Sequence, residues 1–170
     1  MKNLTKSVVA IGLSVPMVFT AGVAQAAPGV DAKSLQYMVA EEKLAHDVYV
    51  TLGEAFSLRV FDNIARAELT HMEAVRDLLD TYNIKDPTVG DKLGVFDDPN
   101  LQARYNKLVK DGLESRTAAL QAGVTIEKLD IVDLKDSLEV NSAADVELVL
   151  NSLLRGSDRH LDAFERNLSR

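Results

Sequence analysis

The chain of 170 residues contains no cysteine and no tryptophan, and it has only four prolines. Without cysteine it cannot form disulfides, zinc–thiolate sites, iron–sulfur clusters or thiol redox centres. Aromatic residues make up 5% of the chain, and runs that alternate apolar and polar residues are scarce, which argues against a β-sheet protein. Segments with apolar residues at helical spacing dominate instead, and they predict an all-α fold.

Basic residues are in the minority, 19 against 26 acidic ones, so the formal net charge is −7. A negative surface repels phosphate backbones and anionic headgroups, and this argues against binding to nucleic acid or to membrane surfaces. The same charge attracts cations. We therefore expect metal ions as partners, and the amphipathic helices also allow a homodimer.

The first residues resemble an export signal rather than part of a fold. Two lysines precede a mostly apolar, uncharged run over residues 7–23, which ends in the Ala-x-Ala signature from Ala24 to Ala26. This pattern predicts a secretory signal peptide over 1–26 that is cleaved after Ala26. A retained membrane anchor is the alternative, but a glycine and a proline interrupt a rather short run. We expect a periplasmic or secreted protein with no stable membrane anchor after cleavage.

The remaining chain divides into a linker over 27–33 and one domain over 34–170. Its periodic segments predict four long helices and one short helix, with boundaries set by capping residues, asparagine and glycine. These helices are expected over residues 31–56, 60–82, 99–110, 114–138 and 142–170. The two-residue break at 57–58 makes the first two helices antiparallel neighbours, and Ser142 to Asp145 resembles a capping box for the last helix. Two tight hairpins joined by one long crossover that contains the short helix predict a ferritin-like four-helix bundle.

A Glu-x-x-His pair, Glu68 and His71, lies inside an apolar helical stripe. Ile64, Val75 and Leu78 belong to the same stripe, at steps of three and four residues. A carboxylate without a partner in such a dry position would cost several kcal/mol or stay protonated. A divalent metal ion removes this cost, while a hydrogen-bonded Glu–His pair without metal is the alternative.

Polar residues also interrupt the apolar faces of the other three long helices. Glu42 does so on the first helix, Glu127 and Asp130 on the third, and His160 on the fourth. One such interruption is ordinary, but four in a short chain suggest a common cause. Di-metal centres in four-helix bundles use a Glu from each of two helices and Glu-x-x-His from each of the other two. The sequence therefore predicts a metal site formed by Glu42, Glu68, His71, Glu127 and His160.

One ligand of that pattern is missing, because Ser157 occupies the position three residues before His160. Asp130, one turn after Glu127, is a candidate substitute, and a water molecule or a weakly held second ion would also fit. The mixture of oxygen and nitrogen ligands suits iron, manganese or zinc, and residue type alone does not rank them. Iron is the ion that we expect, with manganese and zinc as alternatives. One or two ions are expected.

Several residues near the predicted site have two interpretations. His46 follows Glu42 by one turn and is a candidate ligand or a half-exposed surface residue. Tyr49 either donates to a ligand carboxylate or is an ordinary core tyrosine. Gly123 and Gly156 either allow close helix packing or leave an open ligand position. The carboxylates that fall off the apolar stripes are expected to be solvated; they are Glu41, Glu73 and Glu165.

Four stretches resemble a known family. EEKLAHDVY at 41–49 followed by ELTHMEAV at 68–75 resembles the first half of rubrerythrin and bacterioferritin. With IEKLDI at 126–131 and RGSDRHLDAF at 155–164, the match is closer to the ferritin-like domain-of-unknown-function family 2202, over about 34–167. This resemblance implies a ferritin-like bundle and no settled activity. The serine in the last stretch weighs against oxidase-grade di-iron chemistry more than against metal binding.

The residues and the resemblance together lead to an exported metal-binding protein with a mono- or di-metal carboxylate/histidine site. If it is an enzyme, we expect a ferroxidase- or peroxidase-like oxidoreductase in which dioxygen or peroxide oxidises Fe(II). Glu42 and Glu127 would bridge, Glu68 would bridge or bind terminally, and each histidine would hold one ion. The alternatives are a non-catalytic metal carrier, sensor or stress-related binding protein, and a bundle with a vestigial site held by Glu–His hydrogen bonds.

Overall fold

A computed structural model describes residues 27–170, so the predicted signal peptide over 1–26 lies outside the described residues. Within 27–170 the structure has five α-helices and no strand, which confirms the all-α class. The helices are α1 (Ala32–Phe56), α2 (Arg59–Thr81), α3 (Pro99–Gly112), α4 (Arg116–Val140) and α5 (Ala144–Leu168). None of these helices is long and apolar enough to cross a bilayer.

The first hairpin forms as the sequence predicts. The carboxylate of Asp31 caps α1 by accepting a hydrogen bond from the backbone N–H of Ser34 at 2.7 Å. At the other end Ser57 adopts a left-handed conformation with φ 51°, and its N–H donates to the carbonyl of Gly53. Since only two residues separate α1 from α2, the two helices pack as antiparallel neighbours.

The crossover begins after α2, where Asn83 is left-handed with φ 52° and stops the helix. An irregular segment leads to α3, and the carboxylate of Asp98 caps α3 while Pro99 occupies its first turn. The hydroxyl of Ser115 then caps α4 by accepting from the N–H of Ala118 at 3.1 Å. The start of α3 matches the one expected from the sequence, whereas the Ser115 cap of α4 was not predicted and places the start of that helix two residues after the expected Glu114.

The capping box expected at the start of α5 is wrong. Ala143 is the capping residue and makes no side-chain hydrogen bond to the helix. The N–H groups of Ser142 and Ala143 instead donate to the carbonyl of Gly29, at 2.8 and 3.0 Å. The N–H of Asp31 donates to Oδ1 of Asn141 at 2.7 Å. The α4–α5 loop is therefore held by the segment that precedes α1, which is part of the expected linker.

Contacts between the hairpins define the bundle. Ser34 near the start of α1 contacts Ser137 near the end of α4 at 2.5 Å, so α1 and α4 run in opposite directions. Tyr82 at the end of α2 donates to Asp145 at the start of α5, so α2 and α5 are antiparallel too. The crossover accordingly runs the length of the bundle.

The interior contains two apolar clusters, one towards each end of the bundle. One is built around Tyr49, Phe61 and Phe164, and the other includes Leu79 and Leu150. Burial of each large apolar side chain contributes about 1.5–3 kcal/mol, so these clusters supply the main driving force for folding. Each long helix also carries core-facing polar residues between the two clusters, and these form the layer described next.

Candidate metal centre

The polar layer receives side chains from all four long helices. On each helix they occupy core-facing positions, because they lie three or four residues from buried apolar neighbours. The layer consists of Glu42 from α1, Glu68 and His71 from α2, Glu127 and Asp130 from α4, and Ser157 and His160 from α5. All of the predicted metal ligands are in this layer.

The carboxylate of Glu68 lies at the centre of the layer. Its Oε2 is 2.8 Å from Nδ1 of His71, and its Oε1 is 3.0 Å from Nδ1 of His160. The two imidazole rings are stacked, with centroids 5.4 Å apart and an interplanar angle of 26°. One potential ligand atom from each of these three residues lies within 4.8 Å of the others. A single small cation can therefore reach all three.

The other two glutamates flank this group. Oε2 of Glu42 is 3.3 Å from Nδ1 of His71, and Oε1 of Glu127 is 3.7 Å from Nδ1 of His160. Each imidazole thus lies between Glu68 and one outer carboxylate. The structure brings the five residues with the right ligand types together in two linked halves.

Asp130 and Ser157 occupy the place of the missing glutamate. The Ser157 hydroxyl donates to Oδ2 of Asp130 at 2.5 Å and lies 3.1 Å from the carbonyl oxygen of Leu153 on its own helix. The short serine side chain leaves space on α5, and the carboxylate of Asp130 reaches into it from α4. Asp130 therefore supplies a carboxylate at the level of the layer, although from a different helix than the pattern requires.

The layer is dry. Glu42 and Glu127 are 1% exposed, Glu68 is 2% exposed and Asp130 is 9% exposed. Buried carboxylates at this density are costly unless they are neutralised. Among the described residues, the buried Oε1 of Glu42 has no hydrogen-bond partner, and the buried Nδ1 of His160 lies 3.0 Å from Oε1 of Glu68 without the geometry of a hydrogen bond. A cation would neutralise the carboxylates and could bind both of these atoms, so the donor set fits a divalent metal.

Tyr49 contacts one of the outer ligands. Its hydroxyl donates to Oε1 of Glu127 at 2.6 Å, and its ring packs against Phe61 and Phe164 at centroid distances of 5.8 and 5.1 Å. The hydrogen bond orients the Glu127 carboxylate, as partners of metal ligands commonly do. Of the two interpretations of Tyr49, the structure supports the donor.

The two glycines at this level allow close packing of specific rings. A Cβ at Gly156 would lie 2.5 Å from Nε2 of His71, and one at Gly123 would lie 2.6 Å from the ring of Phe164. Gly156 therefore makes room for a predicted ligand, whereas Gly123 makes room for a core aromatic.

Burial and charge perturb the pKa values of the layer. Burial, together with the nearby negative charge of Glu68, raises the pKa of Glu42 to about 8 and that of Glu127 to about 7. Burial also acts to raise the pKa of Glu68, but His160 and His71 outweigh it and lower this pKa to about 2. Desolvation lowers the pKa of both imidazoles, yet the carboxylates outweigh it and raise the pKa of His71 to about 11 and of His160 to about 9. Without a metal, the layer holds protons where a metal would bind.

Some residues considered from the sequence lie elsewhere. His46 is outside the layer, and its Nδ1 is 2.9 Å from Oδ1 of Asp47. Glu73 and Glu165 are exposed, as expected. The expectation that Glu41 is solvated is wrong, because Glu41 is only 6% exposed. The helical stripe of α1 did not reveal this, since the short helix α3 covers the outer face of α1 and its Arg104 pairs with Glu41.

Comparison with known proteins identifies the family. Residues 31–170 match the family model described as Uncharacterized protein domain (DUF2202). The chain belongs to this family. The match starts at the capping residue of α1 and includes every helix and every residue of the polar layer. The family assignment made from the four stretches is thereby confirmed, while the link to ferritins and rubrerythrins stays a prediction.

A relative of this chain is known from Methanocaldococcus jannaschii. The chain is 46% identical over 129 residues to "Uncharacterized protein MJ0754" of Methanocaldococcus jannaschii, and the match covers 76% of this chain and 70% of the relative. It is also similar to the crystal structure of hypothetical protein MJ0754 from Methanococcus jannaschii DSM 2661, with a TM-score of 0.82 and 43% identity. That similarity covers 84% of this chain and 83% of the other, and it supports the helical bundle described above.

Proposed function

We propose that this DUF2202 protein binds one or two divalent metal ions, with iron as the preferred ion, in the polar layer of its bundle. The observation that carries the proposal is the convergence of Glu42, Glu68, His71, Glu127 and His160 in the bundle interior, with Oε1 of the buried Glu42 left without a hydrogen bond. Burying several carboxylates this close together is unfavourable unless a cation neutralises them, and the imidazoles supply further ligand atoms for that cation.

The residues of the layer divide naturally between two ions. Glu42 and His71 would hold one ion, Glu127 and His160 the other, and Glu68 contacts both imidazoles and would serve both. Asp130 would supply a further carboxylate. Such a mixture of oxygen and nitrogen donors is compatible with iron, manganese or zinc.

If the protein turns over, Fe(II) is the substrate and dioxygen or peroxide accepts its electrons. The carboxylates would stabilise the higher positive charge of Fe(III), because anionic oxygen ligands interact more strongly with a more highly charged ion. Tyr49 would keep the Glu127 carboxylate in place through its hydrogen bond. We propose that the reaction occurs in the periplasm or outside the cell, in keeping with the predicted signal peptide.

A second function, a non-catalytic metal carrier, sensor or stress-related binding protein, is favoured by one observation. Ser157 takes the place of a glutamate, and Asp130 is engaged by its hydroxyl rather than free. With one carboxylate fewer on α5, one of the two ions would be held more weakly. Stoichiometric binding without turnover is the expected behaviour of such a site.

Metal titration of the protein over 27–170 tests the proposal. We expect anaerobic Fe(II), or Co(II) as its spectroscopic substitute, to bind at one or two ions per chain. Glu68→Ala should abolish binding or weaken it at least about 100-fold, because second-sphere losses alone cost 10–100-fold and Glu68 contacts both imidazoles. Glu73→Ala, which removes an exposed carboxylate from the same helix, is the matched control and should bind as the wild type does.

The outcomes separate the candidates. Continuous consumption of oxygen or peroxide with Fe(II) supports the enzyme, and a single stoichiometric event supports the carrier or sensor. If elemental analysis finds no metal in the isolated protein and titration finds no binding, the layer is a Glu–His hydrogen-bond network and the metal proposal is wrong.

A further inference from the structure

A second buried charged group lies beside the metal centre, between α1, α3 and α4. Nη1 of Arg104 contacts Oε1 of Glu41 at 2.5 Å. Tyr37 and Asp133 lie close enough to Glu41 to influence its ionisation. Glu41 is 6% exposed, whereas the side chain of Arg104 is 32% exposed and reaches solvent. Of this ion pair, only the guanidinium therefore reaches solvent.

One carboxylate oxygen of this group lacks a partner. Oε2 of Glu41 is buried and has no hydrogen-bond partner among residues 27–170. Glu41, Arg104 and Asp130 line a cavity of about 10 Å³, together with three apolar side chains. That volume is sufficient for one water molecule or one small cation. A buried carboxylate oxygen with a free acceptor position is the chemistry that either occupant requires.

Asp130 connects this cavity to the metal centre. It lines the cavity, and its Oδ2 accepts the hydrogen bond from Ser157 inside the polar layer. Glu127, Asp130 and Asp133 follow one another at steps of three along α4, so they lie on the same side of that helix. Asp133 is half-buried, and the other two are buried. Carboxylates thus continue from the half-exposed edge of the bundle to the central ligands.

We propose that this cavity is a side entrance through which divalent cations reach the metal centre, and that Arg104 closes it. The inference rests on the proposed metal-binding function. Asp133 and Glu41 attract the cation, and the Arg104 side chain moves towards solvent to release Glu41. The cation then passes to Asp130 and from there to Glu127 and Glu68. The guanidinium of Arg104 competes with the incoming cation for the Glu41 carboxylate, because it is already paired with that carboxylate.

The rate of metal uptake tests this route. Rapid mixing with excess Co(II), followed by its absorption in the bound state, gives the association rate, and equilibrium titration gives the affinity. Glu41→Gln should slow association by about tenfold, since removing a charge that attracts the ligand acts mainly on the on-rate. Arg104→Gln should accelerate association, because the competing cation is gone. The affinity of the central site should change less than the rate in both variants.

Two controls match these changes. Glu73→Gln removes an exposed carboxylate, and Lys107→Gln removes an exposed cation one turn further along α3. Both should leave the uptake rate at the wild-type value. They report what a general loss of one charge does to association with a dication.

The directions of the two rate changes decide the outcome. Rates that change in opposite directions support the entrance, because a merely structural salt bridge would affect both variants alike. Uptake at the wild-type rate in both variants, with wild-type binding intact, refutes the entrance and leaves the metal centre standing. If the wild type binds no Co(II), the metal centre itself is refuted and the entrance with it. Should Glu41→Gln fail to fold, the rate for Arg104→Gln decides alone: no acceleration refutes the entrance.

Discussion

At the scale of single residues, Gly156 shows how tightly the centre is packed. The imidazole of His71 occupies the space that any Cβ at position 156 would need, at 2.5 Å. The position is helical and has no positive φ, so the requirement for glycine is steric. In a helix interior glycine costs roughly 0.5–1 kcal/mol relative to alanine. The chain accepts this cost where a predicted ligand passes close to α5.

Gly156→Ala therefore has opposing effects. Alanine favours the helix by about 0.5–1 kcal/mol, but its Cβ pushes His71 away from Glu42 and Glu68. We expect metal affinity to fall at least about tenfold, in line with the sensitivity of metal sites to ligand position. Equilibrium titration with Co(II) measures this. Ser152→Ala, at an exposed position of α5, should keep wild-type affinity; an unchanged affinity in Gly156→Ala would mean that His71 is not a ligand.

Tyr49 allows a second test at this scale. Tyr49→Phe removes the donor to Glu127 and leaves a carboxylate that is 1% exposed with one partner fewer. Loss of a partner for a buried acceptor costs about 1–3 kcal/mol. Tyr82→Phe removes a similar hydrogen bond, to the exposed Asp145, and should cost clearly less, because water replaces the lost partner. Urea denaturation of the metal-free proteins compares the two free energies of unfolding. Equal losses would contradict the role assigned to Tyr49.

The residues of the polar layer could be predicted from the sequence because each one interrupts an apolar stripe. Glu68 within its stripe on α2 is a local signal that needs no partner to be recognised. Glu41 gave no such signal, because its burial depends on α3, which is distant in sequence and covers the outer face of α1. The steric role of Gly156 was also hidden, since it depends on which ring of α2 faces α5. Contacts between helices, rather than periodicity within one helix, determine both cases.

At the scale of elements, Lys43 fastens the crossover to α1. Its Nζ is buried and donates to Oδ2 of Asp47 at 2.6 Å and to the carbonyls of Lys92 and Val95, each at 3.1 Å. It also lies 4.1 Å from the ring centroid of Phe96. The irregular segment before α3 is thereby fixed to the first helix, and this positions α3 over Glu41.

Lys43→Met is expected to destabilise the protein by about 3 kcal/mol, because it removes the lysine from the buried carboxylate of Asp47 and leaves only the His46 imidazole and the Gly94 amide as its partners. The amide of Gly94, which donates to Asp47 at 2.8 Å, should then exchange faster with solvent. Lys107→Met breaks an exposed pair with Asp111 and should have little effect on stability, because solvent screens the pair. Chemical denaturation and hydrogen exchange give both values. A loss no greater than that of Lys107→Met would show that Lys43 does not fasten the crossover.

Most helix boundaries followed from local chemistry, and the exception depends on a contact that is distant in sequence. Asp31, Asp98 and Ser115 are capping residues because their side chains accept from the first turn of their own helix. At the start of α5 the backbone of Ser142 is instead held by the carbonyl of Gly29. A partner more than a hundred residues away replaced the capping side chain there, and the sequence pattern could not show it.

At the scale of the whole molecule, a polar layer separates two apolar clusters. The clusters supply the stability that permits four buried carboxylates at mid-height. In the metal-free protein that layer must be neutralised by protons. Its stability is therefore linked to pH through the groups whose pKa values differ between the folded and unfolded chain.

The sign of this linkage follows from the shifted pKa values. Glu42 and Glu127 have folded pKa values raised to about 8 and about 7, chiefly by burial, so their contribution is complete below about pH 4.5 and is lost as the pH rises through 7 and 8. His160, raised to about 9, loses its contribution at still higher pH. Glu68, lowered to about 2, contributes above its unfolded pKa and loses this only in strong acid. The metal-free protein should be most stable near about pH 5.

A bound metal should oppose the loss of stability above about pH 5, because it takes the place of the protons and requires deprotonated ligands. Calorimetry with and without Co(II) should show Tm of the metal-free protein falling from about pH 5 to about pH 8, while the rise in Tm caused by Co(II) grows over the same range. At a free concentration near 100 times its Kd, the ion should add about 2.7 kcal/mol to the free energy of unfolding. In Glu42→Gln the side chain at position 42 is uncharged at every pH. The stability of this metal-free variant should therefore depend less on pH than that of the control variant Glu73→Gln. If the Tm of the metal-free protein instead rises between about pH 5 and about pH 8, protons are not what neutralises the carboxylates of the layer. The exchange of protons for metal would then not explain why the layer consists of carboxylates and imidazoles.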